Sequence, residues 1–277
     1  MSIYTAVHGF AKATLPEPMW RLLRDAAAAR RCYRTYFRRH VHGIFSTIRA
    51  TGEHDNFTYE LTDRCLCYLV ETLSCALKRP REEIEAYIRE VTEDPGLNAM
   101  ALSTTPNVKL KCPFGRRLGW YAVARATKPR LIVETGVDRG HGSLVLCAAL
   151  LRNAAEGSPG QYLGTDIKPE AGELLVGKYA ALGRILYGDS LESLNAMTGP
   201  IDLFINDSDH SADYEYREYE AVAGKLSPQA IILGDNAHCT DKLARFSREH
   251  GRHFLFVAEE PKDHWYIGAG LGISFPP

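Results

Sequence analysis

The sequence lacks an excess of charge of either sign. Its 277 residues include 33 Lys and Arg against 34 Asp and Glu, so the formal net charge is −1 at pH 7. A global positive field that would attract nucleic acid is missing, and we expect no nucleic-acid partner. Hydrophobic residues make up 45% and charged residues 24%, which is typical of a globular protein.

Long hydrophobic runs are also missing. No stretch approaches the roughly 20 apolar residues that a membrane-spanning helix needs. The first residues, Met-Ser-Ile-Tyr-Thr-Ala-Val-His, show no basic region followed by an apolar run, as a signal peptide would. We therefore expect no membrane association and a cytoplasmic location.

Cysteine is present, but without the pattern of a disulfide framework or a zinc site. The seven cysteines are odd in number and scattered along the chain. Cys65 and Cys67 are closer together than the usual zinc-binding pairs, and no second pair follows at zinc spacing. We expect both to lie on a helix as small apolar residues.

Two regions with different patterns follow one another. Residues 1–112 have helical periodicity, with helices predicted from about residue 16–20 to 48, from 57 to 77, and directly after Pro80. We expect this region to form a lid, a subunit interface, or both, and the protein to be a homodimer or a higher homo-oligomer. The arginine-rich stretch 21–39 fits a solvated or subunit-facing helix side better than a site for an acidic substrate.

Residues 113–277 alternate between strands and helices. Short apolar runs occur at 130–134, 162–166, 184–187, 201–207, 230–235 and 254–258, and residues 265–275 predict a last strand returning beside 254–258. This order indicates an α/β fold: a Rossmann-like, doubly wound, mostly parallel seven-stranded sheet preceded by the N-terminal helical region. Ligands of such sheets bind at the carboxyl ends of the strands.

A glycine-rich loop follows the first of these strands. Gly136, Gly140 and Gly142 allow a tight turn and a close approach of a ligand to the backbone, and Ser143 begins the next helix. The spacing G-x-x-x-G-x-G differs from the G-x-G-x-x-G of dinucleotide-binding loops. We expect His141, within the loop, to face solvent.

Acidic side chains end three successive strands. Glu134 ends the first, Asp166 ends the second, and Asp189 follows the third. A carboxylate at the second strand end can accept both hydroxyls of a ribose, and Asp189 lies where it could contact an adenine amino group. Each acid alone could be a helix cap, but three at one sheet edge favour a shared nucleoside site.

Acids also follow the fourth and fifth strands. Asp207 comes after the fourth strand, and Asp235-Asn236 come after the fifth. Two carboxylates and an amide oxygen form an oxygen-only donor set that suits Mg²⁺. An Asp-Asn pair after a strand is, however, also common in simple turns.

The motif Glu134-Thr-Gly-Val-Asp-Arg-Gly-His-Gly142, with Asp166 and Gly188-Asp189, resembles the S-adenosylmethionine-binding motifs of class I methyltransferases. The resemblance spans residues 113–277. The stretch beginning at Asp207, the Asp235-Asn236 pair and the ending 268–275 are similar to metal-dependent O-methyltransferases of the catechol and caffeoyl-coenzyme A type, to which sugar O-methyltransferases are related. The lysine that often follows the fourth-strand acids in those enzymes is not evident, and position 210 is His.

The resemblance implies a site for S-adenosylmethionine and a Mg²⁺ ion. The implied cofactor residues are Glu134, Gly136, Gly140, Gly142, Ser143, Asp166, Asp189 and Asp207. The implied metal ligands are Asp207, Asp235 and Asn236.

The predicted activity is methyl transfer to a hydroxyl of a small molecule, either phenolic and catechol-like or a sugar-containing natural product. Asp207, His210 and His238 are the candidates for the base that takes the hydroxyl proton. One alternative is a metal-independent O- or N-methyltransferase with a histidine base. A nicotinamide-dependent oxidoreductase and a non-catalytic binding protein are less favoured, because the glycine spacing and the full set of acids argue against them.

Overall fold

The computed structural model describes residues 15–38, 41, 56–105, 110–235 and 237–277. These residues belong to two compact units: the described part of residues 1–50 with 263–265, and the described part of 51–262 with 266–277. Within the described ranges, no helix combines the length and the apolar character that crossing a membrane requires.

The first unit contains α1 (Glu17–Cys32), which continues into a π-helical turn at Tyr33–Phe37. The helix begins where the sequence predicts it, with Pro16 at its start. Its arginines are exposed, and Arg21 pairs with Glu17 one turn away. Most of the predicted continuation to residue 48 lies outside the described residues.

The second unit begins with three helices: α2 (Asp63–Leu77), α3 (Arg81–Thr92) and α4 (Pro95–Leu102). The prediction that a helix starts at residue 57 is wrong, because Tyr59 and Leu61 form isolated bridges with Phe114 and Pro261. The Thr62 hydroxyl then caps α2 by accepting from the amide of Cys65 at 3.2 Å.

Two details of these helices agree with the sequence, and one is new. Cys65 and Cys67 both lie on α2, the first buried and the second exposed. Helix α3 follows Pro80 as predicted. Helix α4 was not predicted; it begins with Pro95, and Asp94 caps it by accepting from the amide of Leu97. All three helices lie in the same compact unit as the sheet, and the domain boundary at residue 112 stays a prediction.

The remaining elements alternate as predicted. They are α5 (Arg117–Thr127), β1 (Leu131–Thr135), α6 (His141–Ala155), β2 (Gln161–Asp166), β3 (Gly183–Tyr187), α7 (Ser190–Ala196), β4 (Ile201–Asn206), α8 (Ala212–Ala223), β5 (Leu226–Gly234), α9 (Lys242–Glu249), β6 (His253–Ala258) and β7 (Gly270–Phe275). A short 3-10 turn, Ala180–Leu182, precedes β3.

The strands form one seven-stranded sheet in the order β3-β2-β1-β4-β5-β7-β6. Neighbours among β1–β5 are parallel, and β7 is antiparallel to both β5 and β6. The predicted doubly wound, mostly parallel sheet is therefore confirmed. The last strand lies beside β6 as predicted, and it also separates β6 from β5.

Both faces of the sheet are covered by helices. Alternate residues of each strand point to opposite faces, so Ile132 joins a core with α2, α3, α5 and α6, whereas Val133 joins a core with α7, α8 and α9. In β4, Leu203 and Phe204 divide between the two cores in the same way. This double covering explains why the central strands are almost continuously apolar.

The strand register aligns the carboxyl ends at one edge of the sheet. Thr135 pairs with Thr165 on one side and with Asn206 on the other, and Asn206 pairs with Gly234. The residues that follow these positions include Gly136, Asp166, Asp207 and Asp235. The parallel register, rather than their distance in sequence, makes them neighbours.

Candidate functional site

A cavity of about 790 Å³ opens at this carboxyl edge. Glu134, Asp166, Asp189 and Asp207 all line it, although they come from four different strand ends. Gly136, Gly142, His210 and His238 line it as well. The structure thus brings most of the sequence-predicted site residues to one cavity of the size of a small-molecule site.

At two positions, the backbone of the glycine loop lies so close to neighbouring atoms that a side chain would not fit. At Gly136 the φ angle is +80°, and an added Cβ would lie 2.0 Å from the carbonyl oxygen of Asp207. At Gly142 an added Cβ would lie 2.0 Å from Oε1 of Glu134. These glycines are therefore required by the packing of the loop against β4 and against the acid that ends β1.

Gly140 and Ser143 support the loop and do not line the cavity. Gly140 precedes α6 with a φ angle of +93°. The Ser143 hydroxyl donates to the carbonyl of Gly140 at 2.9 Å, which holds the first turn of the helix. Direct cofactor contact by these two residues stays a prediction.

Asp166 holds the glycine loop to the end of β2. Its Oδ2 accepts from the amide of Asp138 at 2.7 Å, and its Oδ1 accepts from the amide of Lys168 at 2.8 Å. The carboxylate is buried, yet it lines the cavity. Each of its oxygens has a further lone pair, so the group can still accept hydroxyls of a ligand.

Glu134 is a buried acid with a strongly perturbed pKa. Burial raises its pKa to about 8, against the lowering effect of the hydrogen bond from Tyr162 and the charge of Arg117. The Tyr162 hydroxyl donates to Oε2 at 2.5 Å. A positively charged group of a ligand placed beside Glu134 would stabilise the ionised carboxylate.

Asp189 both caps a helix and faces the cavity. Its Oδ1 accepts from the amide of Glu192 at 3.1 Å, and its Oδ2 accepts from the Tyr214 hydroxyl at 3.0 Å. Asp189 is therefore both a helix cap, as any single acid after a strand could be, and a residue of the cavity wall.

Glu218, on α8, connects three strand ends beneath the cavity. It is fully buried and accepts from Thr135 Oγ1 at 3.2 Å and from Asn206 Nδ2 at 2.5 Å. The hydroxyls of Ser208, at 2.6 Å, and Ser190 donate to it as well. Sequence reasoning missed this residue, because an acid within a helix carries no local sign that it is buried.

His141 does not face solvent, so that expectation is wrong. It is buried, and its ring stacks on Phe57 with centroids 5.7 Å apart and an angle of 2° between the planes. Burial, followed by the charge of Arg117, lowers its pKa to about 3, which keeps the ring neutral. The residues before α2, whose position the sequence did not predict, supply this stacking partner.

At the predicted metal position, Asp235 is already paired with the guanidinium group of Arg116. Arg116 Nε and Nη2 donate to the two oxygens of Asp235, and Arg116 Nη1 contacts Glu259 Oε2 at 3.2 Å. Asp207 is hydrogen-bonded to Asp235, so these two acids meet as predicted. Asp235 itself does not line the cavity, and Asn236 lies outside the described residues.

Burial and the neighbouring charges shift the pKa values of Asp207 and Asp235 in opposite directions. Burial and the neighbouring Asp235 carboxylate raise the pKa of Asp207 well above its ordinary value. Burial alone would also raise the pKa of Asp235, but the charge and hydrogen bonds of Arg116 lower it. Over the described part of the chain, no three His, Cys, Asp or Glu side chains are grouped as a metal site.

Two histidines stand at the same end of the cavity. His210 and His238 both line it, together with Tyr266. Burial and the charge of Arg116 lower the pKa of His238, and its Nε2 lies 3.2 Å from the sulfur of Cys239. A neutral imidazole in this position can accept a proton.

Arginines 116 and 117 are functional candidates that the sequence did not reveal. Both are buried and line the cavity, and Arg117 Nη1 donates to the carbonyl of Phe57 at 3.1 Å. The Nε of Arg117 is buried with no hydrogen-bond partner. They precede the first strand and belong to no recognisable motif, so the only signal was an Arg-Arg pair at a helix start.

Comparisons with known proteins agree with this geometry. Residues 133–237 match a family model described as a methyltransferase domain. The match begins within β1, includes the glycine loop and the strand-end acids, and ends after β5. A comparison with curated protein sequences gives no match.

Solved structures share the fold at low sequence identity. An O-methyltransferase, TomG from Streptomyces achromogenes, involved in tomaymycin synthesis and solved with S-adenosylmethionine, is 19% identical with a TM-score of 0.50 over 69% of this chain and 94% of that chain. A methyltransferase from Geobacter sulfurreducens is 18% identical, with a TM-score of 0.48 over 66% and 90% of the two chains. An O-methyltransferase from Bacillus cereus is 15% identical, with a TM-score of 0.47 over 76% and 97%.

Proposed function

From the premise that this chain is an S-adenosylmethionine-dependent methyltransferase of class I fold, we propose that it methylates a hydroxyl oxygen of a small molecule. The observation that carries the proposal is one cavity whose wall contains the acids of four strand ends and two histidines. The O-methyltransferase activity named for TomG is consistent with this choice.

The proposed cofactor position follows the order of these acids along the sheet edge. The methionine part of S-adenosylmethionine lies against the glycine loop, with its ammonium group near Glu134. The ribose hydroxyls bind Asp166, and adenine lies toward Asp189. This order leaves the part of the cavity near Asp207 for the methyl acceptor, because Asp207 follows β4, on the side of β1 away from β2.

The acceptor is proposed to be small, either phenolic and catechol-like or a sugar-containing natural product. A cavity of about 790 Å³ has to hold both the cofactor and the acceptor, which favours a small substrate. Exposed apolar residues on α1 and on the π-helical turn after it, including Leu22 and Phe37, support a further proposal that the chain acts as a homo-oligomer. We propose the cytoplasm as its location.

Magnesium assistance fits the described residues poorly. Mg²⁺ needs carboxylate oxygens at about 2.0–2.1 Å, but both oxygens of Asp235 accept from Arg116. Arg116 would have to move away before Asp235 could bind an ion. We therefore favour the metal-independent form of the reaction and assign no step to a metal ion.

A histidine is proposed as the base. Burial and the Asp235 carboxylate raise the pKa of Asp207 well above its ordinary value, which favours its protonated form and makes it the weaker candidate for the base. His210 and His238 are the remaining candidates on the cavity wall. The base removes the hydroxyl proton as the oxygen attacks the methyl carbon, the carbon–sulfur bond breaks, and the electron pair stays on sulfur to give the neutral thioether.

Calorimetric titration with S-adenosylhomocysteine tests the cofactor site, and Asp166→Ala should weaken binding at least tenfold. A screen of hydroxyl acceptors with radiolabelled S-adenosylmethionine, with and without EDTA, then tests the reaction. We expect product in the presence of EDTA, and a loss of about 10²-fold or more in kcat for either His210→Ala or His238→Ala. Binding of NADH in place of the thioether would refute the proposal.

A further inference from the structure

Arg116 is held by three partners beside the acceptor end of the cavity. Its Nε and Nη2 donate to Asp235, and its Nη1 donates to the Tyr59 hydroxyl at 2.7 Å and contacts Glu259 Oε2 at 3.2 Å. Only 8% of the residue is exposed, yet it lines the cavity. Tyr59 and Glu259 are themselves buried and hydrogen-bonded to each other, which fixes the guanidinium group in place.

The charge of this group differs from what a metal site requires. Asp235 is neutralised by a guanidinium group that stays protonated under all ordinary conditions. A divalent ion that bound the oxygens of Asp235 would leave Arg116 without its two hydrogen bonds to that carboxylate. Breaking a buried ion pair in this way is strongly unfavourable, and binding of the ion would have to offset that loss.

Arg116 still has hydrogen-bonding capacity. A guanidinium group has five N–H donors, two of them on Nη2. The contacts to Asp235, Tyr59 and Glu259 use Nε, both N–H groups of Nη1 and one of Nη2. The second Nη2 N–H has no acceptor among the described residues.

We propose that Arg116 replaces a divalent ion in this site, and that its remaining Nη2 N–H binds the acceptor oxygen during methyl transfer. This inference rests on the proposed function. It assigns to Arg116 the positive charge that a metal ion would otherwise supply to the reaction. A charge-assisted hydrogen bond lowers the pKa of the hydroxyl and stabilises the negative charge that grows on oxygen as the histidine takes the proton. The reaction then requires no divalent ion beside Arg116.

Metal binding tests the first part of the proposal independently of activity. The wild-type protein, loaded with S-adenosylhomocysteine, is titrated with Mn²⁺ and followed by electron paramagnetic resonance. We expect no stoichiometric Mn²⁺ binding to the wild type. The Arg116→Ala variant leaves Asp207, Asp235 and Glu259 without their nearest cation, and it should gain a Mn²⁺ site if it folds.

Kinetics of Arg116→Lys test the second part. Lysine keeps the positive charge but loses the planar fork, so we expect kcat to fall about 10²-fold, whereas the Kd for S-adenosylhomocysteine stays within about threefold. Arg125→Lys is the matched control, because Arg125 is another buried arginine, which binds Glu90 and Glu156 away from the cavity. It should lower stability and leave kcat unchanged.

The outcomes separate this inference from the proposed function. A protein that does not bind S-adenosylhomocysteine would refute the proposed function itself. If the thioether binds and the wild type also takes up one Mn²⁺ that Asp207→Asn abolishes, the role of Arg116 is refuted. Full kcat in Arg116→Lys would refute it as well, even if that variant is less stable than the wild type.

Discussion

Cofactor binding should release a proton, because Glu134 is protonated in the free protein at neutral pH. Burial raises the pKa of Glu134 to about 8, whereas its ordinary value is 4.5. The proposed ammonium group of the cofactor requires the ionised form. At pH 7 roughly nine-tenths of the free protein carries the proton, so binding should release about 0.9 protons per cofactor.

The same proton makes affinity depend on pH. The ionised fraction of a carboxyl with a pKa of about 8 rises from roughly 1% at pH 6 to one half at pH 8. The association constant for S-adenosylhomocysteine should therefore rise about 50-fold over this range, which corresponds to about 2.3 kcal/mol of binding free energy.

Calorimetry in buffers of different ionisation enthalpy measures both quantities. Glu134→Gln cannot ionise, so its binding should show neither the released proton nor the rise with pH. Asp189→Asn is the control: it removes an acid from the same cavity but leaves Glu134 intact, and it should keep the pH dependence. Wild-type binding that is flat between pH 6 and 8 would refute the reasoning about Glu134.

Stability, site geometry and the buried acid network give three further predictions. Because the pKa of Glu134 is raised in the folded protein, its favourable contribution to folding is complete below about pH 4.5 and is lost as the pH rises to about 8. Glu134→Gln should therefore stabilise the free protein above pH 8, by up to about 5 kcal/mol in denaturant titrations. Equal stability of the wild type and the variant at pH 9 would contradict this. Gly136→Ala places a Cβ against the backbone of Asp207 at a φ angle of +80°, and it should lower stability by about 2–4 kcal/mol and abolish thioether binding; an unchanged melting temperature would show that the loop is not constrained there. Glu218→Ala leaves the buried donors of Thr135 and Asn206 without their acceptor, so it should lower the free energy of unfolding in urea by about 3 kcal/mol or more. The control Glu220→Ala removes an exposed acid of the same helix and should lower it by less than about 0.5 kcal/mol. Similar losses in the two variants would contradict the proposed network.

Several features of the site were predictable because they depend on local sequence. Closely spaced glycines directly after a strand favour a sharp turn, so the loop at Gly136–Gly142 was recognisable without coordinates. Acids placed directly after apolar strands meet at one edge, since parallel strands align their carboxyl ends. Asp166 accordingly contacts the loop amide of Asp138 at 2.7 Å.

Other features were not predictable because they depend on contacts between distant parts of the chain. Helical periodicity suggested that residues 57–62 belong to a helix, but Tyr59 and Leu61 pair instead with Phe114 and Pro261. The stacking of His141 on Phe57 has the same origin. Local pattern cannot reveal such pairings, since both partners look ordinary in their own sequence context.

The sequence by itself determined the class of the sheet, the glycine loop and the acids that end the first three strands, since hydrophobic periodicity and turn chemistry act over a few residues. Only the tertiary structure decided the charge at the acceptor end. It brings Arg116, which precedes the first strand, against Asp235, which follows the fifth, and these residues are 119 positions apart. A carboxylate in sequence looks the same whether a metal ion or an arginine neutralises it, because that choice depends on which cation the folded chain brings within contact.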